Sequence, residues 1–98
     1  MAKRVVTPDV CMFNDERCET LNIQVDLPGV KKEDVNLTFL DDGFYIIARS
    51  EDVTFKGAFA LPAPVMAEKA LGGFDNGFLI VNVPYKKMAK EGIRLKIE

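Results

Sequence analysis

Leu21-Asn22-Ile23-Gln24-Val25-Asp26-Leu27 alternates without a break, and Pro28-Gly29 ends it. Leu21, Ile23, Val25 and Leu27 fall on one side of an extended chain. Asn22, Gln24 and Asp26 fall on the other. One apolar and one wet face is the pattern of a half-buried strand. Proline offers no ladder donor, and glycine opens dihedrals that other residues avoid, so the pair marks a loop.

The same reading extends in both directions. Upstream, residues 1–8 read as a loose arm ending at Pro8, and residues 10–13 as a short strand before the polar turn Asn14-Asp15-Glu16-Arg17. Downstream, Lys31-Lys32-Glu33-Asp34 is a charged connector with room for one helical turn. Val35-Asn36-Leu37-Thr38-Phe39 is the next strand, Asp41-Asp42-Gly43 supplies hairpin chemistry, and Phe44-Tyr45-Ile46-Ile47-Ala48 returns. Residues 53–61 form another strand, with Gly57 as a bulge or a point of close approach. Residues 65–70 have room for a short helical turn.

The clearest hairpin runs through Leu71-Gly72-Gly73-Phe74, Asp75-Asn76-Gly77 and Phe78-Leu79-Ile80-Val81-Asn82-Val83. Asn-Gly suits a type I′ turn because both positions tolerate positive φ. The nearly continuous apolar run after it suggests burial on both faces, with a partly covered outer face as the alternative. Short strands, two- to six-residue connections and no helix beyond two turns predict an all-β, antiparallel β-sandwich.

Composition narrows the function. The chain has 98 residues, 48% apolar and 29% charged, with net charge −2 and no histidine. This is one globular domain of modest core size. No apolar run reaches the roughly 18 residues of a membrane span. The basic start Met1-Ala2-Lys3-Arg4 lacks the apolar segment of an export signal, so a cytoplasmic location is expected. Balanced charge argues against nucleic acid as the partner. Without histidine there is no imidazole acid–base chemistry and no zinc-finger ligand set. Cys11 and Cys18, separated by six residues, read as reduced thiols; a turn between them would permit a disulfide. No phosphate loop is present, so ATP hydrolysis is not expected; the two cysteines lack further ligands for a metal, no cofactor is expected, and no catalytic constellation survives inspection. Asp41 and Asp42 read as turn residues rather than a catalytic pair. Lys31-Lys32 and Lys86-Lys87 read as solvated surface, and most of the seven phenylalanines as core.

The last residues carry the most suggestive interaction feature. Ile93, Leu95 and Ile97 share one side of an extended segment and alternate with Arg94 and Lys96. Burying each would contribute about 1.5–3 kcal/mol. Two outcomes are open: pairing at a neighbour's sheet edge, or folding back as the protein's own edge strand.

Two stretches resemble a known family. Val25-Asp26-Leu27-Pro28-Gly29-Val30-Lys31-Lys32-Glu33-Asp34-Val35 is similar to the D-L-P-G…E-D signature of the small heat-shock, or alpha-crystallin (Hsp20), proteins. The stretch from Gly72 to Leu79 is similar to their A-x-x-x-N-G-x-L hallmark, with Gly72 in place of Ala and with Asn76, Gly77 and Leu79 matching. The resemblance covers about residues 10–85 in order. It implies an immunoglobulin-like sandwich of seven or eight strands, the alpha-crystallin domain, with residues 1–9 as an arm and 86–98 as a C-terminal extension. It implies an ATP-independent holdase, not an enzyme, that binds partly unfolded client proteins and prevents their aggregation. It also implies self-association into a dimer or larger assembly. Ile93-x-Leu95 and Leu95-x-Ile97 look like relaxed versions of the family's I-x-I tail anchor. The receiving groove is then expected along Val35–Leu40 and Gly72–Phe74, with Val35, Leu37, Phe39 and Phe74 as its candidate residues. Two departures stand out: a short arm, and only a few residues between Ala48 and Val53, where many members carry a long loop with a swapped strand. The second departure counts against a swapped dimer. It also raises an alternative, a p23/CS-like co-chaperone that docks on a folded partner chaperone.

Overall fold

The alternation around Leu21–Leu27 is one strand of eight in the computed structural model, which describes residues 4–40, 42–86 and 96–97. The strands are β1 (Arg4–Val6), β2 (Asp9–Asn14), β3 (Thr20–Asp26), β4 (Val35–Phe39), β5 (Gly43–Arg49), β6 (Val53–Ala60), β7 (Leu71–Asp75) and β8 (Phe78–Pro84). They form two four-stranded sheets, ordered β1-β6-β5-β4 and β2-β3-β8-β7. Short 3₁₀ turns at Lys32–Asp34 and Ala67–Lys69 are the only helical segments among the described residues. The architecture is the expected all-β sandwich, and no helix of the described chain is long and apolar enough to cross a membrane.

The inward residues of each strand make the core. From the second sheet come Leu21, Ile23 and Val25 of β3 and Leu79, Val81 and Val83 of β8. From the first come Phe44, Ile46 and Ala48 of β5 and Phe55 of β6. Phe44 stacks on Phe59 at 5.3 Å between ring centroids and lies tilted 5.9 Å from Phe39. Such pairs are worth about 0.5–1.5 kcal/mol beyond the area they bury.

The two sequence motifs meet in space. Pro28-Gly29 makes a tight turn in which the Val30 N–H donates to the Leu27 carbonyl at 3.2 Å, and Gly29 takes φ 80°. That conformation favours glycine at the third position of a type II turn. At the other motif, Asn76 and Gly77 take φ 49° and 83°, as a type I′ hairpin requires. The Leu27 N–H donates to the Gly77 carbonyl at 2.7 Å, which ties the first loop to the second.

Several expectations need correction. Residues 1–8 are not wholly a loose arm, because Arg4–Val6 pair in parallel with Val53–Phe55. Val6 packs against the core from there, a contact that a three-residue apolar signal could not announce. The run from Phe78 to Val83 is not buried on both faces. Leu79, Val81 and Val83 are inside, while Phe78 and Ile80 remain 42% and 49% exposed. Among the described residues the sandwich has no third layer to cover them. Gly57 is no bulge: the β5–β6 register steps one for one from Gly43↔Ala60 to Arg49↔Thr54. It is a close approach, where an added Cβ would sit 3.0 Å from the Phe59 ring. An intrachain disulfide is also ruled out. Cys11 pairs opposite Gln24, whereas Cys18 lies in the turn beyond the Asn14↔Leu21 pair. Three strand residues already span about 10 Å, more than a disulfide bridges. Both thiols are free and exposed.

Candidate functional site

The sandwich is left unsealed along one side. There the edge strands of the two sheets, β4 and β7, face each other without pairing. On β4 the odd residues Val35, Leu37 and Phe39 turn inward but stay half-buried. On β7 Phe74 does the same, paired opposite Leu79. These residues line an open cleft of about 400 Å³ with Leu79 and Val81 beneath and Lys32 at one end. All four residues expected for a groove, Val35, Leu37, Phe39 and Phe74, are therefore brought together.

Glycines lower one wall. Gly72 and Gly73 both border the cleft. A Cβ at Gly72 would make ordinary contact with Val81, 3.8 Å away, and one at Gly73 would meet nothing within 4 Å. A side chain from an incoming segment could thus approach the β7 backbone. The outer edge of β7 has no strand partner among the described residues, so its main-chain groups are available to pair.

The turn residues Pro28, Gly29, Asn76 and Gly77 lie outside the cleft and hold the loops at one end of the sandwich. Leu79 belongs to both sets, a motif residue that forms part of the cleft floor. Of the tail anchor, Ile93 and Leu95 lie outside the described residues, as does Asp41 of the expected hairpin pair. Ile97 is 86% exposed. The floor residue Val81 was not singled out from sequence, whereas the glycine wall lies within the segment Gly72–Phe74 where the groove was expected. Parity along β8 would have found Val81, because it shares a face with Leu79.

A second, larger hollow of about 820 Å³ lies beside Cys18, Met66 and Tyr85. Here the Tyr85 hydroxyl donates to Asn14 Oδ1, and the Tyr85 N–H donates to the Glu19 carbonyl at 2.9 Å. Asp15 Oδ1 accepts from the N–H groups of Glu19 and Thr20 at 2.8 and 3.1 Å. Burial, then the negative charges of Cys18 and Asp15, push the Tyr85 hydroxyl above its ordinary pKa. The backbone and side-chain bonds mark this as a structural clasp. Among the described residues no three histidine, cysteine or acidic side chains converge as a metal site.

The Hsp20/alpha crystallin family profile matches residues 14–98. This chain belongs to the Hsp20/alpha crystallin family. It is 33% identical over 76 residues to the 15.4 kDa class V heat shock protein of Arabidopsis thaliana, covering 67% of this chain and 56% of the plant protein. It is 30% identical over 99 aligned positions to Heat shock protein 16 of Schizosaccharomyces pombe, covering 80% and 68%. The chain thus spans little more than half of the plant relative's length. Among solved structures, Heat shock protein 16.0 from Schizosaccharomyces pombe superposes with a TM-score of 0.67 at 26% identity, over 92% of this chain and 98% of that one. The hspA structure from Xanthomonas axonopodis gives 0.72 at 21% identity, over 90% and 100%, a likeness of fold. The family is one of small heat-shock chaperones rather than enzymes. The alpha-crystallin sandwich expected from the two motifs is the fold of this chain.

Proposed function

We propose that this chain is an ATP-independent holdase that binds partly unfolded proteins and keeps them from aggregating. The observation that carries this reading is the open apolar cleft between β4 and β7 in an Hsp20 chain. Client segments that have lost their own burial gain by covering Val35, Leu37, Phe39 and Phe74. No bond is made or broken, and release follows when the client refolds. The cleft must be shielded at rest, and Ile93, Leu95 and Ile97 are the shield, docking on the same chain or on a neighbour in a dimer or larger assembly. Its setting is the cytoplasm, and its partners are proteins rather than membrane or nucleic acid. Light scattering of a heated client tests the activity. Suppression at several-fold excess of the chain, without nucleotide, is the expected result; undiminished scattering would overturn the reading.

One observation favours a second reading, a p23/CS-like adaptor. The β5–β6 link is only Ser50–Asp52, closed by the Ser50 N–H donating to the Val53 carbonyl at 2.8 Å. That leaves no room for a strand swapped to a partner. A saturable one-to-one complex with a folded chaperone, without client protection, would select the adaptor.

A further inference from the structure

On the side of the second sheet away from the cleft, β2 is an edge strand, paired among the described residues with β3 alone. The direction of its free main-chain groups follows from the hairpin. The Asp15 N–H donates to the Thr20 carbonyl at 3.0 Å, which makes that pair hydrogen-bonded. Antiparallel ladders alternate, so Phe13, Cys11 and Asp9 also point their main-chain groups at β3. Val10, Met12 and Asn14 point theirs outward.

This edge lacks the usual protection. It holds no lysine, no proline and one charge, Asp9, and its register to β3 runs from Asp9↔Asp26 to Asn14↔Leu21 without a bulge. Met12 and Phe13 are 36% and 53% exposed on it. Long, flat, uncharged edges are templates for another strand. Of the other edges, β1 has three residues and includes Arg4, while β4 and β7 border the cleft.

We propose that the occupant is a second copy of this chain: two β2 strands pair antiparallel about a two-fold axis at Cys11 and merge their sheets. Self-complementarity selects both the partner and the register. With the axis at Cys11, Val10 and Met12 exchange both main-chain bonds with Met12 and Val10 of the second copy, and Asp9 faces Phe13 rather than another carboxylate. With the axis at Met12, Asp9 would face the second copy's Asp15 twice over, and like charges directly opposite are unfavourable. With the axis at Val10, Met12 would face Pro8, which has no N–H to give, and the ladder shrinks to one pair. The contact is smaller than the roughly 1,200 Å² of a stable interface, so the dimer dissociates readily. This inference gives an interface to the self-association proposed above and is independent of client binding.

Cys11 reports on it directly. In the non-hydrogen-bonded pair at the axis the two Cα atoms lie about 4.5 Å apart, within disulfide range. Diamide removes two electrons and two protons from the paired thiols, forming the S–S bond and a reduced hydrazine. The full chain, oxidised at concentrations where sedimentation detects dimer, should run as a covalent dimer on a non-reducing gel. Cys18→Ser should retain that dimer and Cys11→Ser should lose it. Met12→Pro removes an outward N–H without touching the β3 ladder and should abolish both the crosslink and the reversible dimer. Should Met12→Pro fail to fold, Cys11→Arg on the exposed face places like charges at the axis and should weaken the reversible dimer about five-fold. Crosslinking through Cys18, a crosslink that survives Met12→Pro in a folded chain, or reversible association unchanged by Cys11→Arg would each overturn the proposal. Assemblies that persist without a Cys11 crosslink would overturn this interface and leave self-association standing. A monomer at every concentration that still protects clients would overturn both and leave the holdase reading intact.

Discussion

A methyl group added at Gly43 would lie 2.6 Å from the Phe59 carbonyl oxygen, a distance that real Cβ atoms do not adopt. The backbone of β5 and β6 must part to admit it. Gly43→Ala should therefore cost about 1–3 kcal/mol, by analogy with other overpacked sites, read as a lower urea midpoint. Gly72→Ala is the contrasting case. Its new methyl meets Val81 at an ordinary 3.8 Å, and removing glycine's freedom from the unfolded chain should stabilise by about 0.4–1 kcal/mol. A destabilised Gly72→Ala chain would show that the β7 backbone needs a conformation only glycine supplies. Tyr85 gives a prediction in pH. Burial and the neighbouring Cys18 and Asp15 raise its pKa in the fold, so the unfolded chain ionises first. Its contribution is fully present below the ordinary tyrosine pKa near 10 and is lost as pH rises through the higher folded value. Unfolding midpoints from pH 8 upward should decline on the alkaline side, and Tyr85→Phe should flatten that decline.

At the scale of strands, the cleft exists because two edge strands each lend one face and neither covers the other. Leu37 sits mid-β4, half-buried, with its side chain on the cleft. Leu37→Glu leaves the strand's outward groups alone and places a carboxylate where an apolar side chain must dock. A peptide of residues 91–98, added to a chain truncated after Glu91, should bind the variant at least ten-fold more weakly, since a buried unpaired charge costs several kcal/mol. Equal binding in a fluorescence titration would place the tail elsewhere. The β8 strand makes the related point about its two faces. Leu79, Val81 and Val83 serve the core and cleft, and Phe78 and Ile80 meet solvent. One parity is apolar throughout while the other carries Asn82, and with no third layer among the described residues Phe78 and Ile80 stay on the outer face.

For the whole molecule, stability rests on one layer of side chains between two sheets. Phe44 is fully buried and touches aromatic neighbours on both sides. Phe44→Ala should cost about 3–5 kcal/mol. A domain of this size holds little more than that in total, so the thermal transition should fall sharply or vanish from a calorimetric scan. The amino-acid sequence by itself determined the strands, because alternation and the Pro28-Gly29 and Asn76-Gly77 turns are local, and each is set by sterics within a few residues. It also placed Val35, Leu37, Phe39 and Phe74 on the correct faces, since parity along a strand follows from the pleat. Tertiary structure alone decided that β4 and β7 stand at the same side of the sandwich, that Arg4–Val6 joins β6 in parallel, and that the two loop motifs bond to each other. Each of these is a pairing between distant segments. Its free energy depends on which edges remain unfilled once the core has closed, and no local pattern encodes that.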